Sequence, residues 1–192
     1  SELVTMIEIK TAAYRRASFA LALGSFLVFC NLYMFQPMLP LMAEKFNASA
    51  IEINWLLASC TFTLALTLVP WAIGSEIFGR RNVMMLSLFL LPFAGLAMLL
   101  TDSLLMLTLV RGVMGISIAG FAAVAVAYMA EEFTPKALML AVGSYISANS
   151  LGGITGRLYG GFITEYWGWE IAVIGMAVAS LLGAVLVNRL LP

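Results

Sequence analysis

Two arginines interrupt long apolar runs, Arg111 within residues 104–130 and Arg157 within residues 137–163. A guanidinium at membrane depth costs at least about 2.5 to 3.5 kcal/mol on insertion scales, so each must face protein or water. Counting about 1.5 Å per residue from the same end of the two runs puts both roughly 10 Å inward, at similar depths. Two readings follow. Together they hold an anionic group of a small molecule in one site, or each is answered locally, by Asn149, Tyr159 or a backbone carbonyl. No Asp or Glu lies well inside any apolar run, and the chain has no histidine. A membrane-embedded proton carrier and a zinc site are therefore both without candidate residues. Asn31 and Gln36 add neutral hydrogen-bonding groups in the first apolar run. Being five apart, they point roughly 140° away from each other around a helix. Gln36, beside Pro37 and Pro40, is the stronger candidate for a substrate contact, because prolines free carbonyls that are tolerated only against protein or a wet cavity. Polar groups of this kind equally serve to bond one helix to another.

The elements that must position these residues are membrane helices. Of 192 residues, 62% are hydrophobic and 10% charged, where about 25% charged is usual for a soluble domain; the mean hydropathy is +1.02. A water-soluble domain is excluded, and a net charge of zero gives no footing for nucleic acid. Cys30 and Cys60 both fall in apolar runs and are expected to pack as small apolar residues. No nucleophile is paired with a base and no metal-ligand set is present, so the chain reads as no enzyme and implies no cofactor. With about 20 apolar residues needed to cross a bilayer, six spans are expected near 17–42, 53–76, 82–100, 104–130, 137–163 and 169–188. The first run is too long for a removed leader. Residues 1–16 then form a cytoplasmic N-terminal segment and 17–192 a six-helix transmembrane bundle. Lys10, Arg15, Arg16, Arg80, Arg81, Lys136 and Arg189 fall on one side of this layout and Lys45 alone on the other, which sets both termini in the cytoplasm. Glu76-Ile-Phe-Gly79 after the second span is echoed by Glu165-Tyr-Trp-Gly168 after the fifth. Two three-helix repeats of opposite topology leave such an echo, because an odd number of spans inverts the second copy.

Residues 70–81 end an apolar run in an acid, a glycine and paired arginines, as a tight cytoplasmic turn requires. Glu76, Gly79, Arg80 and Arg81 resemble the loop between helices 2 and 3 of the major facilitator superfamily, Gly-x-x-x-Asp-Arg-x-Gly-Arg-Arg, with Ala72 and Ile77 standing where that pattern has Gly and Arg. Arg111-Gly-Val-Met-Gly115 resembles the superfamily's fourth-helix motif Arg-x-x-Gln-Gly, offset by one residue at the glycine; the resemblance implies a part for Arg111 in proton coupling. Gly143 with Gly152, Gly153, Gly156, Gly160 and Gly161 resembles the antiporter signature of efflux members, Gly-x-x-x-Gly-Pro-x-x-Gly-Gly, with Arg157 at the proline position. Spacing by four also makes Gly152, Gly156 and Gly160 a helix-packing face. Glu131 and Glu132 resemble the short acidic turn after helix 4. A pairing of Arg80 or Arg81 with Glu131 or Glu132 is expected to latch the cytoplasmic turns as a gate.

The resemblance spans nearly the whole chain and is to the N-terminal six-helix half of a drug or sugar efflux transporter. It implies an all-α integral membrane fold, a 3+3 inverted repeat, in a bacterial inner (plasma) membrane. Its function is then one half of a secondary active transporter working by alternating access, exporting a small organic solute, with protons as a possible coupling ion. Arg111, Arg157, Gln36, Asn31 and Asn149 are the substrate or coupling residues, and spans one and four with part of five line the path. The partners are a small-molecule substrate, the lipid bilayer and a second six-helix half. That half is either an identical chain in a homodimer or the C-terminal half of a longer transporter. A non-transporting six-span scaffold or accessory subunit is the alternative.

Overall fold

Side-chain caps and two glycines set the ends of the helices. Thr11 accepts from the Tyr14 amide to start α1 (Ala12–Tyr33), and Ser49 with Glu52 forms a reciprocal capping box at the start of α3 (Ala50–Phe78). Ser103 starts α5 (Leu104–Glu132) by accepting from Met106, and Thr134 starts α6 (Pro135–Trp167) by accepting from Ala137. Gly79 passes α3 directly into α4 (Arg80–Ala97), and Gly168 passes α6 into α7 (Trp169–Leu190). Their φ values, 94° and 95°, are ones that a side chain would strain. A short α2 (Leu39–Phe46) follows α1, and a 3-10 turn, Met98–Leu100, extends α4. This is a computed structural model, and it describes residues 6–192. Among the described residues the only extended pairing is the single bridge between Ile7 and Phe133, and six helices are long and apolar enough to cross a membrane.

The echo read in the sequence is an echo in space. Exchanging α1, α3 and α4 for α5, α6 and α7 maps the packing onto itself: α3 packs on α5 as α6 packs on α1, α4 on α5 as α7 on α1, and α4 meets α7 across the middle. Cap types follow the same exchange, with Thr11 matching Ser103, Ser49 matching Thr134 and Gly79 matching Gly168. The fold is therefore a 3+3 inverted repeat. In both cross-repeat pairs the contact is backbone to backbone. A Cβ on Gly156 would meet the Cys30 carbonyl oxygen at 2.6 Å and its Cα at 2.8 Å, and one on Gly160 would meet the Met34 carbonyl carbon at 2.8 Å. On the other pair a Cβ on Gly115 would collide with the Cys60 carbonyl and the Thr63 hydroxyl. There Ser59, Thr63 and Trp71 of α3 also donate to the carbonyls of Thr108, Gly112 and Ile116, one α5 turn after another. Each bond satisfies a polar group where lipid offers none.

The helices run up to five residues past the expected bounds, with one larger departure. The first span was expected as one run to residue 42, but α1 stops at Tyr33 and a turn at residues 34–38 separates it from α2. Pro37 lacks the N–H that the Tyr33 carbonyl would take, and its ring crowds that carbonyl, so the helix ends a turn earlier. At the other end, α1 begins inside the stretch assigned to the N-terminal segment, and residues 1–5 lie outside the described residues. Ile7 is docked on the α5–α6 turn, donating to the Glu132 carbonyl (2.7 Å) and accepting from Thr134 (2.9 Å).

The close approach of α1 and α6 gives a paired stability test. Gly156→Ala should lower the thermal unfolding midpoint in mild detergent, by an overpacking cost of about 1 to 3 kcal/mol. Gly143, whose Cβ would meet nothing within 4 Å, is the control on the same helix. Gly143→Ala should leave the midpoint unchanged or raise it, by up to about 1 kcal/mol of helix propensity.

Candidate functional site

Arg111 is wholly buried, and what surrounds it is the end of α1. A helix leaves its last four carbonyls without helical donors. Here Cys30 O is taken by the Met34 amide (3.0 Å) and Tyr33 O by the Gln36 amide (3.3 Å), while among the described residues no backbone amide takes Asn31 O or Leu32 O. Arg111 takes both: Nη1 donates to Asn31 O at 3.2 Å and Nη2 to Leu32 O at 3.3 Å. Its Nε donates to Leu56 O in α3 at 3.2 Å, and its guanidinium carbon lies 4.3 Å from the centre of the Phe35 ring. One side chain of α5 thus caps α1 and ties it to α3, with its charge at the negative end of the α1 dipole.

Arg157 sits on the other flank of the same helix end. Its Nε donates to Gln36 Oε1 at 2.8 Å, and its guanidinium carbon lies 4.2 Å from the centre of the Tyr33 ring. The side chain is exposed, and it lines a cavity of about 340 Å³ together with Phe29 and Tyr33 of α1 and Asn149, Ser150 and Gly153 of α6. The Phe29 and Tyr33 rings stack with centres 6.2 Å apart, forming an aromatic floor. The Ser25 hydroxyl donates to Asn149 Oδ1, which fixes the amide and leaves its nitrogen to donate. The cavity therefore presents a cation, an amide donor and a hydroxyl above two rings.

The expected pairing of Arg111 with Arg157 in one site is not what the structure has. Arg111 is spent on three carbonyls and does not line the cavity, whereas Arg157 does. Asn31 is also turned away: buried, it donates to Leu27 O (2.8 Å) and to Ser180 Oγ of α7 (2.9 Å), bonding helix to helix. Its angular separation from Gln36 is the reason, since one side of α1 faces α7 and the other faces α6. Tyr159, a candidate partner for the arginines, donates instead to Ala172 O in α7. Ser150 and Phe29 were missed, because neither a serine nor a phenylalanine in an apolar helix signals which way it faces.

At the end carrying the basic turn, Arg80 donates from Nε and Nη2 to Glu131 Oε1 (3.2 and 3.1 Å) and from Nη1 to Ser75 Oγ (2.6 Å) and Ala72 O (3.1 Å). Glu76, largely exposed, is peripheral at 3.7 Å from Arg80. Arg81 takes no part in this cluster; it caps α7 by donating to the carbonyls of Asn188 (2.8 Å) and Leu191 (3.1 Å). Glu132 contributes its carbonyl to Ile7. All these contacts lie within one bundle, so they hold the α3–α4 turn to the end of α5 and do not by themselves join this bundle to another. At the opposite end, Lys45 of α2 pairs with Glu170, and Phe46 packs on Trp169 at 6.1 Å, docking α2 on the start of α7.

The family described as Major Facilitator Superfamily matches this chain over residues 21–192. The inner membrane transport protein YnfM of Escherichia coli (strain K12) is 31% identical over 182 residues, which cover 95% of this chain and 44% of that protein. The multidrug resistance protein Stp of Mycobacterium tuberculosis (strain CDC 1551 / Oshkosh) is 26% identical over 152 residues, 79% of this chain and 28% of that one. Among solved structures, a bacterial homolog of the human lysosomal transporter Spinster, in an inward-facing and unoccupied conformation, superposes with a TM-score of 0.82 at 19% identity. That match covers 95% of this chain and 44% of the other. The chain thus spans about half the length of the curated relatives it matches most fully.

The two arginines should separate cleanly on substitution. Arg111→Met should sharply lower the unfolding midpoint in detergent, because charged hydrogen bonds contribute about 1.5 to 3 kcal/mol each and three buried carbonyls lose their partner. Arg111→Lys should rescue little, since an ammonium cannot match a planar fork set for three acceptors. Arg157→Gln, at an exposed position, should leave the midpoint within about 0.5 kcal/mol of the parent.

Proposed function

Because the chain belongs to the major facilitator superfamily, we propose that it forms one six-helix half of a secondary active transporter that exports a small organic solute by alternating access. The observation that carries this reading is Arg157, an exposed cation well inside α6, held by Gln36 and Tyr33 at the edge of a cavity. A scaffold has no use for a charge that costs several kcal/mol to expose to lipid, whereas a solute path needs polar groups at that depth. Export is supported by the resistance function in the name of the Mycobacterium relative, and a bacterial inner membrane by that of the Escherichia relative. The excess of basic residues at the Arg80 end supports a cytoplasmic placement of that end and of both termini.

In this reading α1 and α6 form the near wall of the path, and α5 serves chiefly to fasten them. The far wall belongs to a second six-helix body. Relatives about twice as long favour the C-terminal half of one polypeptide; a second copy of this chain, related by a two-fold axis along the membrane normal, is the other arrangement. Among the described residues no carboxylate lies in the middle of a spanning helix. We therefore assign any proton-carrying acid to the other half, with Arg111 acting as a fastener.

Alternating access is tested without knowing the solute. Ser150→Cys places a thiol in the cavity, while Cys30 and Cys60 are buried and add little background. In the transporter containing this chain, a membrane-impermeant maleimide should label position 150 from either side, in right-side-out and in inverted vesicles. Labelling from one side alone, or from neither, would overturn the transport reading in favour of a scaffold.

A further inference from the structure

The charge balance of the cavity defines what it takes. Arg157 lies ten residues, about 15 Å, from Trp167 at the end of α6. Tyr166 and Trp167 are exposed there and pack with Phe162 into an aromatic group of the kind that sits at a membrane interface. Half the thickness of a bilayer's hydrocarbon core is also about 15 Å, so Arg157 is near mid-depth. Among the described residues the nine acidic side chains all lie elsewhere, in connecting segments or in the first or last turns of helices. None of the ion pairs among the described residues includes Arg157; they are Lys45 with Glu170 and Arg80 with Glu76 and Glu131. Its only hydrogen bond among the described residues is through Nε to a neutral amide.

We propose that Arg157 binds the negatively charged group of a planar organic monoanion, an aromatic or conjugated carboxylate or its sulfonate counterpart, in its ionised form. This rests on the transport reading above and names the solute class for the same cavity. The fork is set for it. Gln36 occupies Nε and the Tyr33 ring lies against the guanidinium plane, so the edge formed by Nη1 and Nη2 remains to donate two parallel bonds to one oxyanion. The stacked Phe29 and Tyr33 rings give the body of the anion an apolar floor, and Asn149 and Ser150 stand within the same cavity for a second polar substituent. A volume of about 340 Å³ suits a solute of one or two rings. A neutral solute would leave the guanidinium without a counter-charge, and an organic cation would meet repulsion. The arriving anion supplies the charge that the protein omits.

The test is protection of Ser150→Cys from maleimide in the transporter containing this chain. The probes are three anions, benzoate, benzenesulfonate and cinnamate, against neutral benzamide and cationic benzylammonium. At ten times its dissociation constant, a protecting anion slows labelling about tenfold by mass action. Benzamide and benzylammonium at the same concentration should not. Arg157→Gln should weaken protection about thirtyfold or more, as expected when one partner of a hydrogen-bonded charge pair is removed, and Arg157→Lys by less. The proposal is overturned if none of the three anions protects, if benzamide or benzylammonium protects equally well, or if Arg157→Gln retains full protection. Two-sided labelling without added probe reports on transport separately. Failure of the anions with two-sided labelling intact removes the anion inference alone, and one-sided labelling removes the transport reading beneath it.

Discussion

A bilayer offers no hydrogen-bond partner, and the end of α1 is where this chain has to supply its own. Pro37 stops the helix at Tyr33 and leaves the carbonyls of Asn31 and Leu32 without backbone donors among the described residues. Arg111 answers both from α5 and reaches Leu56 of α3 with its third donor. The arginine needs acceptors because it is buried, and the carbonyls need donors because the helix is broken; each defect is tolerable only with the other. The break also frees the chain beyond Tyr33 to turn, which carries Gln36 across to α6. Arg157 is therefore positioned by the same interruption that Arg111 caps.

Around this point the bundle is assembled by backbone contact more than by interlocking large side chains. Lipid tails are as apolar as leucine, so burying a leucine between helices gains little over leaving it in lipid. Close approach through Gly152, Gly156 and Gly160 on one pair and Gly115 on its repeat-mate gains dispersion contacts along whole helix turns, and lets Ser59, Thr63 and Trp71 reach the carbonyls of α5. That arrangement leaves α3 with only Ile53, Leu56, Cys60 and Ser75 buried among its 29 residues, and α6 with a face bearing Ser147, Ser150 and Arg157 exposed. A hydrophobic α3 face can meet lipid or protein alike. The polar α6 face cannot meet lipid.

Which parts were legible in the sequence follows from the same physics. Helix existence was legible because length and charge carry it; Gly79 and Gly168 announced two of the turns, and the Glu-x-x-Gly echo marked the repeat. Counting placed Arg157 only about 10 Å inward, because α6 runs four residues past its expected end and the same count from Trp167 gives about 15 Å. Facing was not legible, because core-facing and lipid-facing residues are both apolar, and the periodicity that betrays a buried stripe in a soluble helix is absent. Hence Arg111 and Asn31 read like cavity residues although they face α1, α3 and α7, and Ser150 and Phe29 gave no signal although they line the cavity. Pro37 and Pro40 signalled an irregularity, but whether it bends a helix or ends one depends on a cap supplied by α5, about 75 residues on in the chain. The docking of Ile7 on Thr134 rests on two backbone bonds that any residue type makes.

The two arginines of one helix end thus divide the problem of intramembrane charge between them. Arg111 is answered entirely from within, by dipoles that never leave, and so belongs to the scaffold. Arg157 is answered only in part, by one neutral amide and one ring, and among the described residues no carboxylate pairs with it. A cation near mid-depth with no carboxylate partner among the described residues is stabilised by an anion that arrives, the more so once competing water is excluded. For that to drive selection and not merely trap the anion, the site must be closed on its open side by protein and then opened to each face in turn. A second bundle facing α6 would do both, screening Arg157 from lipid and setting, by its own polar groups, when the anion is released.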